Sequence, residues 1–94
     1  LNPINEDLLK LINDLLEKIS SKVWKASSYH AASHGDTYHF RDELNKNGER
    51  GVVRKPNNWE KTKFASQTDD ELSEANKMVY DIRKLLRERG TKDE

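Results

Sequence analysis

Between Leu8 and Ala26 the chain reads LLKLINDLLEKISSKVWKA, and its apolar positions return every three or four residues. Leu9, Ile12, Leu16, Ile19, Val23 and Ala26 form one such row, with Leu8, Leu11 and Leu15 flanking it. At about 100° per residue these positions cover a helix face roughly 160° wide. Lys10, Asn13, Asp14, Glu17, Ser20 and Ser21 take the remainder. Such a face is broader than a coiled-coil seam and predicts a helix with neighbours on two sides. Leucine favours the helix, and no Gly or Pro interrupts the run.

The predicted helix extends from about residue 5 to about residue 34, roughly 45 Å at 1.5 Å per residue. Asn2 before Pro3, or Asn5 before Glu6 and Asp7, supplies the cap, and the two acids suit the positive end of the helix dipole. Gly35 is the natural terminator. A break at Ser27–Ser28 is the alternative. On a continuous helix Tyr29 and His30 share the face of Leu9 and Ile12, with His34 at its edge.

A second long helix is predicted over about 69–89. Thr68-Asp69-Asp70-Glu71 matches the S/T-x-x-E capping box. Leu72, Ala75, Val79, Ile82 and Leu86 follow at spacings of three and four, and Met78 and Leu85 widen the face. Gly90 closes it, and Arg87 and Arg89 suit its negative end.

The middle of the chain is less periodic. Asp36 can cap a short helix carrying Tyr38, His39, Phe40, Arg41, Glu43 and Leu44, ended by the Asn47-Gly48 turn. Gly51, Pro56 and the Asn pair mark about 47–58 as irregular. Val52-Val53 alone is too short to predict a strand. Asn58 can cap another short helix holding Trp59 and Phe64. The fold class read from this pattern is all-α. It is a small bundle of two long amphipathic helices with one or two short helices between them. Residues 1–94 form one domain, with 91–94 a frayed tail.

Composition narrows the class. Only 33% of the 94 residues are hydrophobic and 36% are charged. A chain this small and polar builds a modest core or completes it by association. Seventeen basic residues balance seventeen acidic ones, so charge can matter only locally. With no cysteine there is no disulfide, thiolate metal site or thiol nucleophile, which fits a reducing, cytoplasmic setting. No stretch approaches the roughly 20 apolar residues that span a bilayer, so no membrane role is expected. The chain opens on Leu1 without a signal-peptide pattern, which reads as a trimmed or processed chain or part of a longer protein.

Two constellations could carry chemistry. His30, His34, Asp36 and His39 include histidines four apart, a usable metal-ligand spacing on a helix. No H-E-x-x-H is present and no cysteine supports the set, so no metal and no other cofactor is expected. Arg50, Arg54, Lys55, Trp59, Lys61 and Lys63 form a locally basic segment. Five basic residues stand against two acidic between Glu49 and Phe64. Such cations can neutralise phosphates and Trp59 can stack on a base, so nucleic-acid binding is the alternative function. No nucleophile elbow or phosphate-cradling glycine loop is present. The chain is therefore read as non-enzymatic, with no small-molecule substrate. It is expected to bind another protein, itself or both, using Leu9, Ile12, Leu16 and Ile19 as anchors along an amphipathic helix. A homodimer is one form of this. Adaptor, inhibitor and assembly subunit all fit.

Overall fold

The computed structural model describes residues 6–90. The expected caps at Asn2, Pro3 and Asn5 and the tail at 91–94 lie outside the described residues. Two long packed helices are joined by a two-stranded antiparallel hairpin. The order is α1 (Glu6–Ser33), β1 (Tyr38–Leu44), β2 (Arg50–Arg54) and α2 (Asn58–Leu85), continued by a π-helical turn over Leu86–Gly90. The protein is mostly helical α+β rather than all-α. The chain divides into two compact units. One is built from the described parts of 1–24 and 71–94, the other from 25–70.

In the first unit the inward row differs from the expected one by about one residue. Leu8 is 2% exposed, and Ile12, Leu15, Ile19 and Lys22 are half-buried on α1. Ala75 is buried on α2, with Glu71, Met78, Ile82 and Leu85 half-buried around it. Both rows keep alternating steps of three and four. Leu9, Leu16 and Val23, placed in the core by the sequence reading, instead face outward. Lys22 is the reason. It donates to Glu74 Oε2 at 3.0 Å and Glu71 Oε2 at 3.4 Å. A lysine thus holds the inward position to which its apolar neighbour Val23 has the stronger hydrophobic claim. The Glu74 hydrogen bond is the largest influence on the Lys22 ammonium and raises its pKa.

In the second unit α1 continues through Ser27–Ser28 without a break to Ser33, and the chain turns at Gly35. The Gly35 N–H donates to Ala32 O and the Asp36 N–H to Ala31 O, with Gly35 at φ +97°. These two bonds form a Schellman closure, and the left-handed residue they need is glycine. The short helix expected at Asp36 is strand β1. Tyr38 pairs with Arg54, His39 with Val53, Phe40 with Val52 and Leu44 with Arg50. From Phe40 to Leu44 β1 takes four steps while β2 takes two from Val52 to Arg50, so the ladder bulges. Gly51 sits at that irregularity with φ +110°, and a Cβ there would lie 2.9 Å from His39 Nε2.

α2 begins at Asn58, eleven residues before the predicted start near 69. The capping box is Asn57 and Glu60: the Glu60 N–H donates to Asn57 Oδ1 at 2.8 Å and the Asn57 N–H to Glu60 Oε1 at 2.9 Å. Thr68, expected to open the helix, lies inside it. Its hydroxyl donates back to Phe64 O at 2.8 Å. The core of this unit is aromatic. Phe64 is 7% exposed, with ring centroids 4.6 Å from Tyr38, 5.7 Å from Tyr29 and 6.1 Å from Phe40. Burial raises the Tyr38 phenol above its ordinary pKa.

Candidate interaction site

The first candidate is a groove of about 530 Å³ in the second unit, lined by Tyr29, Tyr38, Phe40, Glu43, Trp59 and Phe64 among others. Two of its acidic lining residues, Glu43 and Glu60, pair with Arg54 beside it. The guanidinium lies 3.9 Å above the Phe40 ring centre. It donates from Nε to Glu43 Oε1 at 2.9 Å and from Nη2 to Glu43 Oε2 at 2.9 Å. It also donates from Nη1 and Nη2 to the two Glu60 oxygens at 2.9 and 2.8 Å. Two carboxylates therefore saturate one cation, a fork-to-fork geometry that arginine alone supplies.

Hydrogen bonds from Arg54, then from the Asn57 backbone, hold the Glu60 pKa near 2 against an ordinary 4.5. Arg54 likewise depresses Glu43. A carboxylate depressed on folding stabilises fully above its unfolded pKa, and that contribution disappears as pH falls through the folded one. Stability is expected to drop between pH 4.5 and about 2. Urea midpoints measured across that window check this. Glu60→Gln should flatten the fall, and an equal fall in that variant would contradict the assignment.

The six residues of the basic segment have different surroundings. Arg54 is committed to the clamp, and Arg50 lies 3.9 Å from Asp42. Lys61 packs near Gly35. Lys63 sits over Trp59 at 5.4 Å from the ring centre, and Lys55 is exposed. Trp59, named as a stacking candidate, is 70% exposed. The histidines divide similarly. His30 and His34 lie edge to face at 4.6 Å, with His30 exposed rather than in the core, while His39 stands on β1 against Gly51. Among the described residues no three His, Asp or Glu side chains converge on a metal position.

The second candidate lies in the first unit, on the flank that sequence reasoning assigned to the core. Leu9, Leu16 and Val23 are 46, 50 and 47% exposed, and Leu72 and Val79 on α2 are 47 and 39% exposed. Leu86, half-buried, extends the α2 row by a further seven residues. Each directly follows an inward residue: Leu8, Leu15 and Lys22 on α1, and Glu71, Met78 and Leu85 on α2. In an antiparallel pair equivalent heptad positions of the two helices lie on the same side. The two apolar rows thus form a single strip. No known protein family, curated protein or solved structure matches the chain. The reading of the strip rests on its own chemistry.

That chemistry is sorted by flank. Between the aliphatic rungs stand Asn13 and Ser20 on α1 and Asn76 and Arg83 on α2, and Glu6, Lys10 and Glu17 border the α1 row. The opposite flank carries Asp14, Lys18, Glu74, Lys77, Asp81, Lys84 and Glu88. A depression of about 430 Å³ there is lined by Asp7, Leu11 and Asp14 of α1 and by Arg89. Of the four anchors expected from sequence, Leu9 and Leu16 belong to the exposed strip. Ile12 and Ile19 are half-buried in the seam. Val23, Leu72 and Val79 join the strip. A seven-residue recurrence beside the inward row was the clue that could have found them. No helix among the described residues is long and apolar enough to cross a membrane.

Proposed function

We propose that this protein is a non-enzymatic interaction module that binds another polypeptide through the aliphatic strip of its helix pair. One observation carries the reading. Five large aliphatic side chains remain roughly half exposed on one flank, while charges crowd the other. Isolated exposed leucines are ordinary, but a contiguous row shared by two helices marks an interaction surface. Leu9, Leu16, Val23, Leu72 and Val79 are its anchors, and helix-to-helix packing is the mode of recognition. The clamp at Arg54 has a supporting role, holding β1, β2 and the start of α2 together.

Photo-cross-linking in an extract of the source cells tests this. A benzophenone side chain replacing Leu16 should form polypeptide adducts, and the same group replacing Ser21, on the charged flank, should not. Equal labelling at both positions, or none at position 16, would reject the strip as a binding surface.

A further inference from the structure

We infer that the groove beside Arg54 is a docking site for an extended peptide, which adds to β1 as a third strand. The site is separate from the aliphatic strip and does not depend on it. The first argument is which residues line the groove. Residues 38–43, six in succession on β1, form one wall, and none of the lining residues belongs to β2. Successive side chains of a strand point to opposite faces, so a cavity over one face would meet only alternate residues. A cavity that meets all six lies along the edge of the strand. β2 pairs on the other side, so this edge is the open one. The opposite wall is one face of α2, where Trp59, Glu60, Lys63, Phe64 and Gln67 recur at separations of three and four.

The second argument is hydrogen bonding. In an antiparallel pair, alternate residues turn their N–H and C=O away from the partner strand. Among the described residues, no group outside the hairpin bonds to the backbone of 38–43. The edge therefore offers donors and acceptors at strand spacing, and a second extended backbone is the chemistry that answers them. A helix cannot answer them, because its own backbone groups are already bonded to one another. The third argument is the side chains. Tyr38 and Phe40 share the face of β1 that meets Phe64. An added strand continues that face, so every second side chain of the peptide meets the aromatic group and the exposed Trp59. Those positions of the peptide are apolar. Glu43 on β1 and Glu60 on α2 share Arg54, so both walls are fixed before the peptide arrives. At about 530 Å³ the groove takes a segment of a few residues, not a folded domain.

Selection against the full chain from a phage library of random linear peptides of about nine residues, the upper range of strand length, tests this. Enriched sequences should carry apolar residues at every second position. The tightest of them, made synthetically, should shift the amide resonances of 38–43 and the Trp59 indole N–H. It should also slow hydrogen exchange at alternate amides of 38–43 by at least about tenfold. N-methylation of alternate amides of that peptide in one register should abolish binding, and in the other register should leave it within about threefold. Trp59→Ala should weaken binding at least about tenfold. That side chain is exposed, so the circular dichroism spectrum of the variant should match the parent. Absence of any enriched peptide, enrichment of a helical three-and-four spacing, or binding indifferent to N-methylation in both registers would overturn the inference. So would resonance shifts that map outside the groove. If those shifts fall at Leu9, Leu16 and Val79 instead, the strip is supported as a binding surface and only the groove falls.

Discussion

Phe64→Ala is expected to cost about 3–5 kcal/mol, the range for removing a buried aromatic ring. The described residues bury five apolar side chains: Leu8, Ala26, Ala32, Phe64 and Ala75. Three of these are alanines, so Phe64 supplies a disproportionate share of the apolar burial. It also underlies Tyr29, Tyr38 and Phe40, so its loss opens a cavity where the helices and the hairpin meet in the second unit. A chain of this length is stable by about 5–14 kcal/mol at 0.05–0.15 kcal/mol per residue. The variant should therefore melt at least about 15 °C lower. Phe64→Leu, which keeps most of the volume, should cost less than about 1.5 kcal/mol. Thermal and urea unfolding of the two variants measure the difference. Equal, small losses would mean that the aromatic cluster is not the core.

Adjacent residues on the first turns of α1 should respond in opposite ways. Leu8→Ala is expected to cost about 2–5 kcal/mol, because the side chain is almost fully buried and its removal leaves its neighbours without packing partners. Leu9→Ala should change the stability of the single chain by less than about 1 kcal/mol, since its side chain is already half in solvent. The comparison is made by urea unfolding. A large loss at Leu9 and a small one at Leu8 would restore the inward row first read from the sequence.

That row was misread for a definite reason. The rows beginning at Leu8 and at Leu9 share Ile12, Ile19 and Ala26, and both step by three and four. They differ at Leu8 against Leu9, at Leu15 against Leu16, and at Lys22 against Val23. Hydrophobicity chooses Val23. The structure chooses Lys22, because Glu71 and Glu74 across the pair satisfy its ammonium. A polar inward layer depends on a partner about fifty residues away, which periodicity along one helix cannot register.

The hairpin was more legible than the all-α reading allowed. Tyr38 and Phe40 alternate with His39 and Arg41, and Asn47-Gly48 precedes Val52-Val53, which together make a hairpin pattern. The acids Asp36, Asp42 and Glu43 favoured a capped helix instead. Glu43 is tolerated in a strand because Arg54 on the neighbouring strand receives it. The start of α2 involved two similar patterns. N-x-x-E at 57–60 and T-x-x-E at 68–71 both fit a capping box. Pro56, which ends the preceding extended segment, favours the first. Once α2 begins there, Thr68 can bond back to Phe64 within the helix.

The exposed strip follows from the same shift of one residue. Once Lys22 faces inward, Leu9, Leu16 and Val23 must face out. The corresponding Leu72 and Val79 follow on α2. Their distribution over the two helices is the basis for assigning a partner.

The most direct test adds a soluble paramagnetic probe to methyl-labelled protein. The methyl groups of Leu9, Leu16, Val23, Leu72 and Val79 are expected to broaden strongly, and those of Leu8 to stay sharp. Broadening at Leu8 with Leu9 and Leu16 protected would contradict the exposed strip.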